Sequence, residues 1–144
     1  MKIIIHEPEK DEEECIFMRV HSMSEKLLRA LEIIKTPEDL AVQMDNRAFK
    51  LAISDIFYVE SVDFKTFVCA ETGVYESKLK LYKIEEMLIK SSFLRISRQV
   101  IVNINKIHSV ASAGGGRIEI MLTNNEKLIV SRQYAFALKE RFGL

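Results

Sequence analysis

The chain has 144 residues, 48% of them apolar, enough for one domain with a real core and a small appendage. No apolar run approaches the length of a membrane span, and the opening Met1-Lys2-Ile3-Ile4-Ile5-His6 is cut short by Glu7, too soon for a signal peptide, so a soluble cytoplasmic protein is expected. The formal net charge is zero but unevenly spread: residues 1–60 hold 8 Lys/Arg against 13 Asp/Glu, and residues 61–144 hold 13 against 8. An acidic front and a basic back suggest an anionic partner for the second part, against the plainer reading of scattered solvated charges.

Residues 2–6 are β-branched and read as a first strand. Pro8 and the acids from Glu7 to Glu14 make a solvated connection. Cys15 to Val20 reads as a second strand, pairing with the first as a hairpin. Ser22 and Glu25 offer a capping box, and Leu27, Leu28, Leu31 and Ile34 recur at helical spacing, so a helix is expected over 23–35, stopped by Thr36-Pro37. From residue 39 the period changes to two. Leu40, Val42 and Met44 alternate, Asp45-Asn46 turns the chain, and Phe49, Leu51 and Ile53 alternate back. Runs at 56–61 and 66–70 follow, then a short strand ending near Glu76. A helix fits 79–90, with Leu81, Ile84 and Leu88 on one face. Strands are expected near 99–103, 106–111, 117–123 and 126–131, with Gly114-Gly115-Gly116 and Asn124-Asn125 as loops. A last helix over 133–141 ends at Gly143. Many short strands with few helices predict a mostly β (α+β) protein of antiparallel sheets. Residues 1–37 form an appendage and 38–144 the main domain.

The inventory argues against an enzyme. His6, His21 and His108 are far apart, and neither Cys15 nor Cys69 lies near one at a metal-ligand spacing. Both cysteines sit in apolar alternation and read as buried free thiols. The glycine triplet lacks the lysine and following helix of a phosphate loop. No nucleophile stands beside a base. No cofactor or metal is expected.

The stretch Phe93-Leu94-Arg95-Ile96-Ser97-Arg98-Gln99-Val100-Ile101-Val102-Asn103 carries the most information. An apolar anchor leads into a cationic polar turn at the mouth of a stiff strand, which is how a rigid element holds guanidinium and amide groups out towards nucleic acid. With Asp55-Ile56-Phe57-Tyr58-Val59-Glu60-Ser61 upstream, and Asn103-Ile104-Asn105-Lys106-Ile107 and Leu128-Ile129-Val130-Ser131-Arg132-Gln133-Tyr134 downstream, it resembles the signature of the LytTR family of transcription regulators. The likeness covers roughly the last hundred residues and marks the chain as a short member without a receiver domain in front.

The resemblance implies elongated antiparallel β-sheets whose loops, rather than a recognition helix, enter successive major grooves of double-stranded DNA. It implies base contacts from Arg98, from Arg132, and from the hairpin around Lys65 and Thr66. Many relatives carry a smaller polar residue where Arg98 stands, so a guanine preference is expected here, or a phosphate contact. Ser97, Gln99, Lys106, Ser131 and Tyr134 are suited to phosphate, as are Lys78 and Lys80 more weakly. The competing readings are structural: Ser131 as a helix cap, Lys65, Lys78 and Lys80 as solvated charges, Asn103 as a satisfier of loop backbone, and Phe57, Tyr58, Phe67 and Phe93 as core. Relatives occupy paired sites, which implies a homodimer or two molecules on DNA, with the N-terminal unit as a dimerisation or regulatory element. Some short relatives are paired with a small membrane protein. The rival function is a protein-interaction or signalling adaptor on the same scaffold, and RNA binding is a third.

Overall fold

A computed structural model describes residues 2–12, 15–35, 37–88 and 91–144. Among the described residues three helices accompany ten strands: α1 (Glu25–Lys35), β1 (Asp39–Met44), β2 (Arg47–Ala52), β3 (Ile56–Val62), β4 (Lys65–Ala70), β5 (Gly73–Ser77), α2 (Leu81–Leu88), β6 (Phe93–Arg95), β7 (Val100–Asn103), β8 (Ile107–Gly114), β9 (Arg117–Leu122), β10 (Lys127–Val130) and α3 (Arg132–Phe142). Seven strands form one antiparallel sheet in the order β2-β1-β5-β4-β3-β7-β6, and three form a second, β10-β9-β8. Single 3-10 turns at Ile53–Asp55 and Ile104–Lys106 carry the chain between strands.

The period-two runs become strands because each has one face to bury. On one face of the large sheet, Leu40, Val42, Leu51, Val59, Val68 and Ile101 pack with Leu81, Ile84 and Leu88 of α2. On the other, Phe57, Ile96 and Val102 meet Ile118, Ile120, Leu122 and Val130 of the small sheet, with Ala135 and Leu138 of α3 closing the cluster. The large sheet is therefore the middle layer of the domain, covered on both sides. Asn103 sits where β7 leaves it. Its Nδ2 donates to the Ile56 carbonyl at 2.9 Å and its Oδ1 accepts from Asn105 N at 3.1 Å, so the buried amide satisfies loop backbone as expected.

Four expectations need correction. Residues 2–6 and 15–20 form no strand, and Ile3, Ile4, Ile5, Ile16 and Phe17 are exposed. β-branched side chains favour a strand only where a neighbouring strand and a face to pack on exist, and this chain supplies neither to them. Cys15 is accordingly exposed, while Cys69 is buried. The first helix starts later than expected: Ser24, not Ser22, caps it, with Oγ accepting from Leu27 N at 3.3 Å. Finally Phe93–Arg95, taken as an anchor and turn, is a three-residue edge strand pairing with Ile101–Asn103. The expected stop at Thr36 and the end of the helix expected over 79–90 lie outside the described residues.

Candidate nucleic-acid interface

The strand registers bring five loops to one end of the two sheets. Val62 pairs with Lys65, Thr66 with Ser77, and Glu60 with Val100, so the β3–β4 tip, the segment after β5 and the turn before β7 are neighbours. A bond from Ser61 N to Gln99 O, 2.8 Å, extends that contact past the last ladder pair. In the small sheet, the β8–β9 tip lies under the start of α3: a Cβ on Gly116 would fall 2.8 Å from Arg132 Cγ. Lys65, Lys78, Lys80, Arg98, Arg117 and Arg132 stand in these loops, with Asp63 the one carboxylate among them.

The turn carrying Arg98 is held from several sides. Ile96 N and Ser97 N both donate to Val100 O, at 3.0 and 3.4 Å, and Ser97 Oγ accepts from Gln99 N at 3.2 Å. Arg95 braces it from inside. Its Nε donates to Ser97 O at 2.7 Å, its second guanidinium nitrogen to Arg98 O, and its third forms a 2.8 Å ion pair with Glu85 of α2. The turn, which the sequence supplies with both Arg95 and Arg98, thus presents a single cation outward, because Arg95 points into the protein and acts on the backbone.

A second latch sets Arg132 beside Arg98. Ser131 N and Ser131 Oγ both donate to Ile96 O, at 2.9 and 3.3 Å, tying the start of α3 in the small-sheet layer to the turn of the large sheet. Ser131 occupies the N-cap position, but its hydroxyl makes no capping bond. This corrects the expectation that it caps α3: the hydroxyl donates to the Ile96 carbonyl, and its oxygen accepts no N–H of the helix. The first turn of α3 therefore keeps its positive dipole end without a side-chain cap, and it contains no acid. Ser97, Arg98, Gln99, Ser131, Arg132 and Gln133 together line one shallow open hollow. Arg98 and Arg132 are exposed, and among the described residues neither side chain has an ion-pair or hydrogen-bond partner.

The remaining expected residues divide. Lys65 and Lys78 are exposed at the same end. Lys80 is there too, with Nζ donating to Phe64 O at 3.2 Å, so part of its role is to hold the hairpin tip. Tyr134 is half-buried against the second core. Thr66 is corrected: at 3% exposure, facing inward opposite Ser77, it has no surface to offer a base, and the tip of its hairpin is Asp63-Phe64. Lys106 is at the other end, beyond β7. It pairs with Glu71 at 2.9 Å and sits 5.4 Å from the centre of the Phe57 ring, so it does not join the arginines. Sequence reasoning missed Gln133, Arg117 and Phe64. Gln133 was signalled by its place after Ser131-Arg132; the other two depend on where hairpin tips fall.

Burial pushes the Tyr58 phenol up, reinforced by Cys69 and Glu126 beside it, and burial likewise pushes up the Cys69 thiol although its bond to Tyr58 opposes the shift. Both groups are thus protonated at neutral pH. Among the described residues no group of three His, Cys, Asp or Glu could hold a metal ion, and no helix is long and apolar enough to cross a membrane.

A rigid β body that gathers unpaired guanidinium groups and an open helix N-terminus at one end has the features of a polyanion-binding domain, and its loops are of a size to enter a groove. The family model for the LytTr DNA-binding domain matches residues 46–143, and the chain belongs to that family. A solved LytTr DNA-binding domain from a Bacillus cereus response regulator superposes with a TM-score of 0.71 at 28% identity, covering 75% of this chain and 99% of that one. The sensory transduction protein LytT of Enterococcus faecalis is 29% identical over 107 residues, 74% of this chain and 44% of LytT. This chain therefore spans less than half the length of the LytT relatives it matches. An HTH-type transcriptional regulator of Staphylococcus aureus is 23% identical over 147 aligned positions, 100% of this chain and 99% of that protein.

Proposed function

We propose that this chain is a sequence-specific regulator of transcription that binds double-stranded DNA through the loop end of its two sheets. The observation that carries the reading is the pairing of Arg98 and Arg132, exposed and unneutralised, in one hollow. A guanidinium can donate two parallel hydrogen bonds to guanine O6 and N7, so each arginine is suited to read one guanine in a major groove. Ser97, Gln99, Gln133 and the uncapped N–H groups of α3 supply donors for phosphates, which set register without reading sequence. Lys65 and Lys78 extend the cationic surface to the neighbouring loops. The protein works in the cytoplasm without a catalytic step or cofactor.

Residues 1–37 are proposed to serve assembly rather than DNA contact. No residue of α1 is buried, and an eleven-residue helix is marginal alone, so its exposed apolar residues Leu28, Ile33 and Ile34 call for a protein partner. Two molecules on adjacent sites would provide it, and a small membrane protein is the alternative. That same exposed face is what favours an adaptor role as the second reading.

Selection of bound duplexes from a random pool, followed by gel shifts across a salt series, tests the proposal. The expected result is a preferred duplex bound with a steep salt dependence, lost in Arg98→Ala and Arg132→Ala while the circular dichroism is unchanged. Equal binding by both variants, or a tight protein partner with no salt-dependent DNA affinity, overturns it.

A further inference from the structure

The β3–β4 tip holds a residue that the fold does not explain. Phe64 is 92% exposed, and both tip residues are left-handed, Asp63 at φ 50° and Phe64 at φ 66°. A two-residue tip of this kind favours Asn or Gly, and a bulky aromatic there is disfavoured both by backbone sterics and by exposure to water. Phe64 contributes nothing to either core. The tip is nonetheless held firmly: Lys80 bonds the Phe64 carbonyl from the segment after β5, and Ser61 bonds the Arg98 turn. A strained, exposed residue on a pinned support points to a contact outside the chain.

Its position and chemistry narrow that contact. The tip is two residues past Ser61, whose N–H bonds to Gln99, so Phe64 stands on the same end as Arg98, between Lys65 and the exposed Asp63. A two-stranded ribbon is of a size to enter the major groove, and Lys65 beside the ring is placed for the backbone. A phenyl ring has no donor or acceptor with which to read base edges. The apolar group on the major-groove edge of the four bases is the thymine C5-methyl.

We propose that Phe64 is a specificity-determining residue that reads a thymine methyl through direct apolar contact. This rests on the DNA-binding reading above, which it extends from guanines to a thymine at a fixed offset from the Arg98 contact.

The test replaces each thymine of the selected duplex, one at a time, by deoxyuridine, which removes only the methyl. Binding of the full chain is compared with that of Phe64→Ala, Phe64→Leu and Phe64→Gly. The wild type should lose about fourfold in affinity at one thymine, the worth of one buried methyl group. Phe64→Ala and Phe64→Gly should bind the thymine and uracil forms of that position alike, and Phe64→Leu should keep part of the difference. Phe64→Gly should also melt at a higher temperature than the wild type, since glycine relieves the left-handed backbone; weaker binding by a more stable protein is not a folding defect. If the uracil scan is identical in wild type and Phe64→Ala, the methyl-reading proposal fails, whether Phe64 proves inert or instead wedges between base steps. If Arg98→Ala and Arg132→Ala abolish binding in the same experiment, the DNA-binding reading survives that failure. If no duplex is selected, both fall.

Discussion

The two ends of β7 treat their cations in opposite ways. At one end Arg98 and Arg132 stand in solvent with no carboxylate in reach among the described residues. At the other, Lys106 is folded onto the Phe57 ring and paired with Glu71. The same contrast appears three residues apart in sequence, where Arg95 is spent on Glu85 and two carbonyls and Arg98 is left bare. A basic residue in a signature is thus no measure of affinity for an anion. What decides is whether the fold has already supplied it a partner.

The largest effect should come from the bare pair. Arg98→Ala with Arg132→Ala should abolish sequence preference, at about 1–3 kcal/mol of discrimination per arginine, while thermal unfolding stays unchanged. A destabilised double variant would place these arginines in the scaffold and erase the contrast. Arg95→Ala should do the reverse: about 2 kcal/mol lost from stability in urea unfolding, because two turn carbonyls and Glu85 lose a charged donor. Its weaker DNA binding should follow from a loosened Arg98 turn. Arg95→Lys should restore little, since one ammonium cannot serve three acceptors around a planar fork.

Gly116→Ala combines the two kinds of effect. Its φ of 79° disfavours a side chain, and the new methyl would meet the Arg132 stem at 2.8 Å. We expect about 1 kcal/mol lost from the melting transition, and a fall in affinity from displacement of Arg132. Smallest is the lysine comparison. Lys65→Ala should lower affinity for all sequences alike and flatten the salt slope by about one unit, whereas Lys106→Ala should leave the slope as it was. Equal slopes for the two variants would show that position along β7 does not sort cations into bound and available.

Much of the scaffold was legible because its signals are local. Period-two runs bounded by Asp45-Asn46 and the glycine triplet marked most strands, and α3 ends at Gly143 as read from sequence, in the left-handed conformation. The resemblance pointed to Arg98 and Arg132, and the fold brings both, exposed, to one hollow. The errors came where a residue's role depends on a distant group. Ser131 has the look of a cap, yet its hydroxyl makes no capping bond and donates instead to the Ile96 carbonyl, 35 residues away. Thr66 and Lys106 were polar residues in the right motifs, but strand parity turned one inward and Glu71 claimed the other. The hairpin turn was legible between the runs at 56–61 and 66–70, but with no glycine to mark its tip the contacts were assigned to Lys65 and Thr66 rather than to Asp63-Phe64. The apolar alternation at 2–6 and 15–20 promised strands, yet a strand needs an edge to join.

The Ser131–Ile96 latch joins the layers of the two sheets at the point where Arg98 and Arg132 stand exposed. The spacing of the two backbone segments that carry these arginines is therefore set by the folded protein before any duplex arrives, like a gauge cut to one size. Such a gauge measures as well as reads. If the two arginines read guanines as proposed, one base pair added between those guanines turns the second about a tenth of a helical turn out of line, and the distance between letters in the operator is as much a part of the message as the letters themselves.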